Sequence, residues 1–113
     1  MINQSAFSKI AGISGALAVA LGAYGAHGLK CKQEYKEIWS NGNRYHMFHS
    51  IALLALSRAN VNRADMAGSL LLAGMVVFSG SCYIAALAEK RSYGRLAPFG
   101  GTMMIIGWAV MAL

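Results

Sequence analysis

The run Asn43-Arg44-Tyr45-His46-Met47-Phe48-His49-Ser50 places two imidazoles and a guanidinium where a hydrophobic segment begins, and no other stretch is as chemically loaded. Histidines at i and i+3 share one side of a helix, where two rings serve a hydrogen-bonded network, a proton transfer, or a metal or haem site. A metal centre needs more than this pair. His27 would have to be the third ligand and no carboxylate lies near, so neither metal nor cofactor is expected. No nucleophile sits beside a base, which leaves enzymatic activity without a residue to carry it. Arg44 suggests another chemistry, capture of an anionic lipid head group together with Lys90, Arg91 and Arg95.

These side chains need a helix to position them. Trp39, Gly42, His46, His49 and Leu53 recur at spacings of three and four and so form one stripe. Arg44 lies two residues from His46, about 200° around a helix, and belongs to another face. The stripe is expected to turn inward, with Gly42 leaving room for a neighbour.

Composition says what surrounds that helix. Of 113 residues, 57% are hydrophobic and only 12% charged, against roughly a quarter charged in soluble domains. The charges cluster and leave uncharged runs at Ile10 to Leu29, Tyr45 to Ser57, Met66 to Ala88 and Leu96 to Leu113. A spanning helix takes about 20 predominantly apolar residues. The second run reaches that length only when extended back through Ile38 and Trp39, which brings Arg44 and both histidines into or beside the membrane. The runs are continuously apolar and rich in Ala, Leu and Gly rather than alternating, which excludes barrel strands. The expectation is an all-α, four-helix transmembrane bundle, a single domain over 1–113 with spans near 6–28, 34–57, 63–89 and 96–113.

Local signals punctuate those spans. The first run is read as a helix rather than a cleaved leader, because its positive flank is weak. Along it Ala11, Gly15, Ala18, Gly22 and Ala26 repeat the small-xxx-small spacing that lets helices approach closely, with Gly15 and Gly22 as the packing glycines. The tract Gly22 to Gly28 should end the helix through a glycine at positive φ. Asn62 or Asp65 is the expected N-cap of the third helix, and Pro98 fits the first turn of the fourth. Gly100 and Gly101 again allow close approach, and Trp108 anchors the far end. Cys31 and Cys82 have no metal or disulfide spacing and are read as free thiols.

With four spans, Lys9, Arg58 and Arg63 share the side of both termini, whereas Lys30, Lys32, Lys36, Arg44, Lys90, Arg91 and Arg95 share the other. The positive-inside rule puts the second side toward the cytoplasm or the mitochondrial matrix and both termini opposite. Basic residues flanking apolar spans also assign the net charge of +6 to topology and anionic lipid rather than nucleic acid. His27, His46, His49, Ser79, Ser81, Tyr83 and Thr102 then fall at similar depth near the basic side. Unpaired polar groups are costly there, so they are expected to face one another as a structural cluster. No Asp or Glu lies inside any run, which argues against a carboxylate proton relay.

The tract GAYGAHG at 22–28, YHMFHSIALLAL at 45–56, Phe78-Ser79-Gly80-Ser81 with Tyr83, LAPFGG at 96–101 and IIGW at 105–108 together touch all four runs. In these the chain resembles the transmembrane protein 256 family, small membrane proteins of uncharacterised function with bacterial inner-membrane relatives. The resemblance implies a multi-pass membrane protein. The short form ending at Ala112-Leu113 looks more like the eukaryotic members and points to the mitochondrial inner membrane, although the positive-inside bias reads the same way in a bacterial one. The family brings no established activity. The functional expectation is therefore a structural or accessory subunit that packs against a larger membrane assembly. The alternative is a binder or transporter of an anionic lipid or other amphiphile at the basic side.

Overall fold

A computed structural model describes residues 1–113. It is all-helical, as the apolar runs predict: α1 Phe7–His27, α2 Gln33–Leu56, α3 Ala64–Ala88 and α4 Ala97–Met111, with single 3-10 turns at Gln4–Ala6 and Arg91–Gly94. Pro98 lies in the first turn of α4, where its missing N–H has no intrahelical partner to lose. Two helix ends differ from the expectation. Gly28 closes α1 at φ −111°, its N–H donating to Tyr24 O at 2.7 Å, so glycine's left-handed freedom is not used. The left-handed residues are instead Arg63 and Glu89, which bracket α3, and neither Asn62 nor Asp65 caps it with a side chain. Glu89 has a reason to be there: its Oε1 accepts the Lys32 N–H at 3.0 Å and ties α3 to the α1–α2 connector.

Successive helices pack on one another, α1 on α2, α2 on α3 and α3 on α4. The core at the terminal end is built on Phe7, Leu53, Leu56 and Leu71, which are almost completely buried, with Met75 and Met104 beside them. The Phe7 ring lies directly against the backbone of Gly68, locking the start of α1 onto α3. A second, smaller core of Leu29, Trp39 and Ala86 closes the basic end, with Leu21 and Tyr83 packed against it. Between these closures α1 and α3 separate. On the far flank α3 and α4 touch backbone to backbone at Gly74 and Gly100.

Only 28 of 113 residues are buried, and the outside is a coat of large apolar side chains that includes Ile13, Leu17, Phe48, Ile51, Val76, Ile84, Phe99 and Ile105. Water-soluble monomers do not expose a continuous coat of this kind. Two helices have the length and composition to cross a bilayer: Gln4–His27, with mean hydropathy 1.5, and Ala64–Ala88, with 2.1. The other two fall short of that standard. α2 carries Lys36, Glu37, Asn41, Asn43 and Arg44 in its first half. α4 has 15 residues, about 22 Å of helix against a hydrocarbon layer of roughly 30 Å.

Candidate functional site

The inner face of α2 presents Trp39, Gly42, His46, His49, Ser50 and Leu53, all buried. Gly42 is essential to that face, because a Cβ there would lie 2.5 Å from Cys82 Cβ and 3.4 Å from Ser79 O on α3. The close approach lets Ser79 Oγ donate to Gly42 O at 2.7 Å. On the other side α2 reaches α1 through two donors aimed at helix carbonyls. Trp39 Nε1 donates to Leu21 O at 2.9 Å, and Asn43 Nδ2 to Ala18 O at 2.8 Å.

His46 stands between these two seams. Its Nδ1 lies 2.8 Å from the Tyr83 hydroxyl and its Nε2 3.1 Å from Ser14 Oγ, so one ring joins α1, α2 and α3. Proton positions follow from what each partner is able to do. Ser50 Oγ donates to His46 O at 2.7 Å, which uses its hydrogen, so Ser14 Oγ donates to Ser50 across 2.6 Å. Ser14 then accepts from His46 Nε2–H. The unprotonated Nδ1 accepts from the Tyr83 hydroxyl, which in turn accepts from Asn43 Nδ2 at 3.1 Å. Under this assignment every hydrogen has an acceptor, and the chain runs in one direction from Asn43 to the His46 carbonyl.

His49 uses the opposite tautomer. Its Nδ1–H donates to Tyr45 O at 2.8 Å, and its Nε2 accepts from Trp108 Nε1 at 3.1 Å. The indole only donates and the carbonyl only accepts, so the ring is neutral and links α2 to α4. All four imidazole nitrogens are thus engaged, and no third His, Cys, Asp or Glu is grouped with them for a metal. No buried side-chain nitrogen or oxygen lacks a partner.

Of the residues expected to cluster, His46 and Tyr83 are joined directly, His49 is tied to α4, and Ser79 bridges α3 to α2. Ser81 is buried but turns back to Val77 O of its own helix. Two do not join. His27 is exposed at the last turn of α1, and Thr102 is exposed and bonds Pro98 O on its own helix. The joined residues also lie farther from the basic end than expected. Ser14 is the eighth of 21 residues in α1 and His46 the fourteenth of 24 in α2, which places the chain near the middle of both helices.

The four cations do not form one pocket. Arg91 pairs with Glu34 at 2.9 Å, and that carboxylate raises the guanidinium pKa further above its ordinary value. Lys90 Nζ lies 5.8 Å from the Tyr93 ring centre, while Arg44 and Arg95 are exposed and make no ion pair.

The glycines divide in the same way. Gly22 gives room to Asn43, whose Oδ1 would lie 2.9 Å from an added Cβ, and Gly100 meets Gly74 and Phe78. Gly15 faces open space, and beside Gly101 only a Phe78 ring carbon comes within 4.0 Å. The buried stripe of α1 runs through Phe7, Ala11, Ser14 and Ala18 instead.

Sequence reasoning missed Ser14, Asn43, Ser50 and the inward role of Trp108. For Ser14 a signal existed, since it is the only polar side chain between Ile10 and Ala23.

Comparison with known proteins bears on what surrounds this core. Residues 21–101 match the family described as "Protein of unknown function (DUF423)". The chain is 38% identical over 114 residues to the UPF0382 membrane protein YwdK of Bacillus subtilis, covering 95% of this chain and 93% of that one. The Staphylococcus epidermidis UPF0382 membrane protein SERP0230 is 39% identical over 112 residues, covering 95% and 92%. The Schizosaccharomyces pombe UPF0382 membrane protein C1782.12c is 40% identical over 112 residues, covering 91% and 95%. No solved structure matches the chain. These matches bear out the resemblance read from the sequence, to small membrane proteins of unknown function with bacterial relatives. With the match spanning most of the chain and the relatives covered almost end to end, the protein belongs to the DUF423 family of membrane proteins.

Proposed function

We propose that this membrane protein is a four-span structural or accessory subunit that docks to a larger membrane assembly through the outer face of α1. The observation that carries this reading is an unpartnered row of small residues. Gly12, Ala16 and Ala20 are exposed at spacings of four, and nothing lies within 4 Å of a Cβ added at Gly12. Rows of this kind let a second membrane helix come close enough for backbone contact. The polar core supports the same reading from inside. Its hydrogens are all spent on protein partners, which suits a latch holding helices together better than a reaction site.

The long dimension of 44 Å is comparable to a bilayer of about 40–45 Å including head groups, which supports a bundle standing with its long axis across the membrane. The basic residues then face the cytoplasm or matrix and the termini face away. Cys31 is the partly accessible thiol and Cys82 is buried, so one native cysteine reports sidedness. Labelling of Cys31 from the side of the N-terminus would overturn the orientation. For the subunit role, mild solubilisation and a native gel should show a high-mass species that Ala16→Leu removes. Wild-type protein that migrates only at its own mass would refute it.

The exposed Arg44 and Arg95, which make no ion pair, support a second reading, binding of an anionic lipid at the basic end. Enrichment of an anionic lipid in gently purified protein is its test, and no enrichment would rule it out.

A further inference from the structure

Between the Phe7–Gly68 contact and the Leu29–Trp39–Ala86 plug, α1 and α3 are held apart and leave a lateral groove of about 410 Å³. Its walls are aliphatic: Ile10, Ile13 and Leu17 from α1, Leu72 and Val76 from α3. Its floor includes Ser14, His46 and Tyr83. We infer that this groove is a binding site for a single lipid acyl chain, held at mid-bilayer depth independently of the lipid's head group.

Four observations select that occupant. No charged residue lines the groove, so nothing there recognises a head group. The hydroxyls and the imidazole of the floor are committed to one another, so an occupant needs no polar atom to satisfy them. Both ends are closed by packed side chains. From Ile10 to Leu17 the α1 wall is about 10 Å long, and from Leu72 to Tyr83 the α3 wall is about 16 Å, too short for a crossing helix of roughly 30 Å to lie along them. Size agrees as well. An apolar cavity of about 150 Å³ holds the six carbons of benzene, and on that scale 410 Å³ takes on the order of sixteen carbons, the length of one chain. A groove left empty would forfeit dispersion contacts along its whole lining. The groove is walled by Ile13 and Leu17, which adjoin the proposed docking row of Gly12, Ala16 and Ala20 on α1, so the two ideas are separated by readout: retained lipid reports the groove and native-gel mass reports docking.

The test uses the whole protein reconstituted in vesicles of dioleoyl phosphatidylcholine, re-extracted in mild detergent and weighed by native mass spectrometry. Wild-type protein should retain one lipid per chain. Gly80→Phe fills the groove from a position whose added Cβ meets nothing within 4 Å, and Val76→Trp fills it from a side chain already 60% exposed. Each should lower the retained lipid at least tenfold, whereas Ile105→Phe, on the outside of α4, should leave it unchanged. No retained lipid in the wild type, retention in both filled variants equal to that of the wild type, or a lipid-free dimer that the filled variants abolish would each overturn the inference.

Discussion

Replacing Gly100 by alanine adds one methyl group where two backbones touch. The new Cβ would lie 2.5 Å from Phe78 N, 2.7 Å from Gly74 O and 3.0 Å from Phe78 Cα, whereas ordinary contact begins at 3.4 Å. The shortfall is 3.4 − 2.5 = 0.9 Å against the nitrogen and 3.4 − 2.7 = 0.7 Å against the oxygen. Backbone atoms of a helix cannot rotate aside as a side chain does, so α4 must move away from α3 by a comparable distance. Overpacking of this kind costs about 1–3 kcal/mol. The same change at Gly80, where an added Cβ meets nothing within 4 Å, costs nothing sterically and gains up to about 1 kcal/mol of helix propensity. Gly101, next in sequence to Gly100, should behave like Gly80. The assay is thermal unfolding of the purified variants in one detergent. Gly100→Ala should melt clearly below wild type, and Gly80→Ala and Gly101→Ala at or above it. If Gly100→Ala melts with wild type, the close α3–α4 approach described here is wrong.

His46→Leu removes the ring that joins three helices and leaves the Tyr83 hydroxyl hydrogen without its acceptor, an expected loss of about 1–3 kcal/mol; the exposed Leu54→Ile should be nearly silent, and equal melting of the two would mean that the ring is no latch. Arg91→Ala should leave the melting temperature within experimental scatter, because the pair with Glu34 is solvent-exposed and screened; a clear drop would show that it holds the basic end together.

The helical fold was legible because its signals are local: uncharged runs of the right length, separated by charge clusters and by Pro98. The inward stripe of α2 was equally legible, since a spacing of three and four needs only the helical period. What could not be read was which faces of the other helices meet it. Gly15 and Gly22 belong to the same small-residue repeat, yet only Gly22 meets a side chain, because Asn43 of α2 lies opposite it and nothing lies opposite Gly15, a pairing that no periodicity encodes. His27 and Thr102 were assigned to the cluster from approximate depth. A shared depth says nothing about direction, and both point outward. Ser14 was overlooked for the converse reason, since one hydroxyl among fourteen residues from Ile10 to Ala23 looks like neutral filler until His46 is placed opposite it.

The one-way order of the hydrogens between Asn43 and the His46 carbonyl bears on permeability. A path that relays protons must reset after each passage, every link turning over so that the next proton meets an acceptor. Here both ends are fixed. The Asn43 amide nitrogen only donates, and the backbone carbonyl at the far end only accepts. The path also turns back into the helix from which it started instead of continuing to the opposite face. A row of polar groups inside a bundle can relay protons only if it can reset, and this one is fixed by its own bonding. The histidine, tyrosine and two serines of the interior therefore form a static network rather than a relay path.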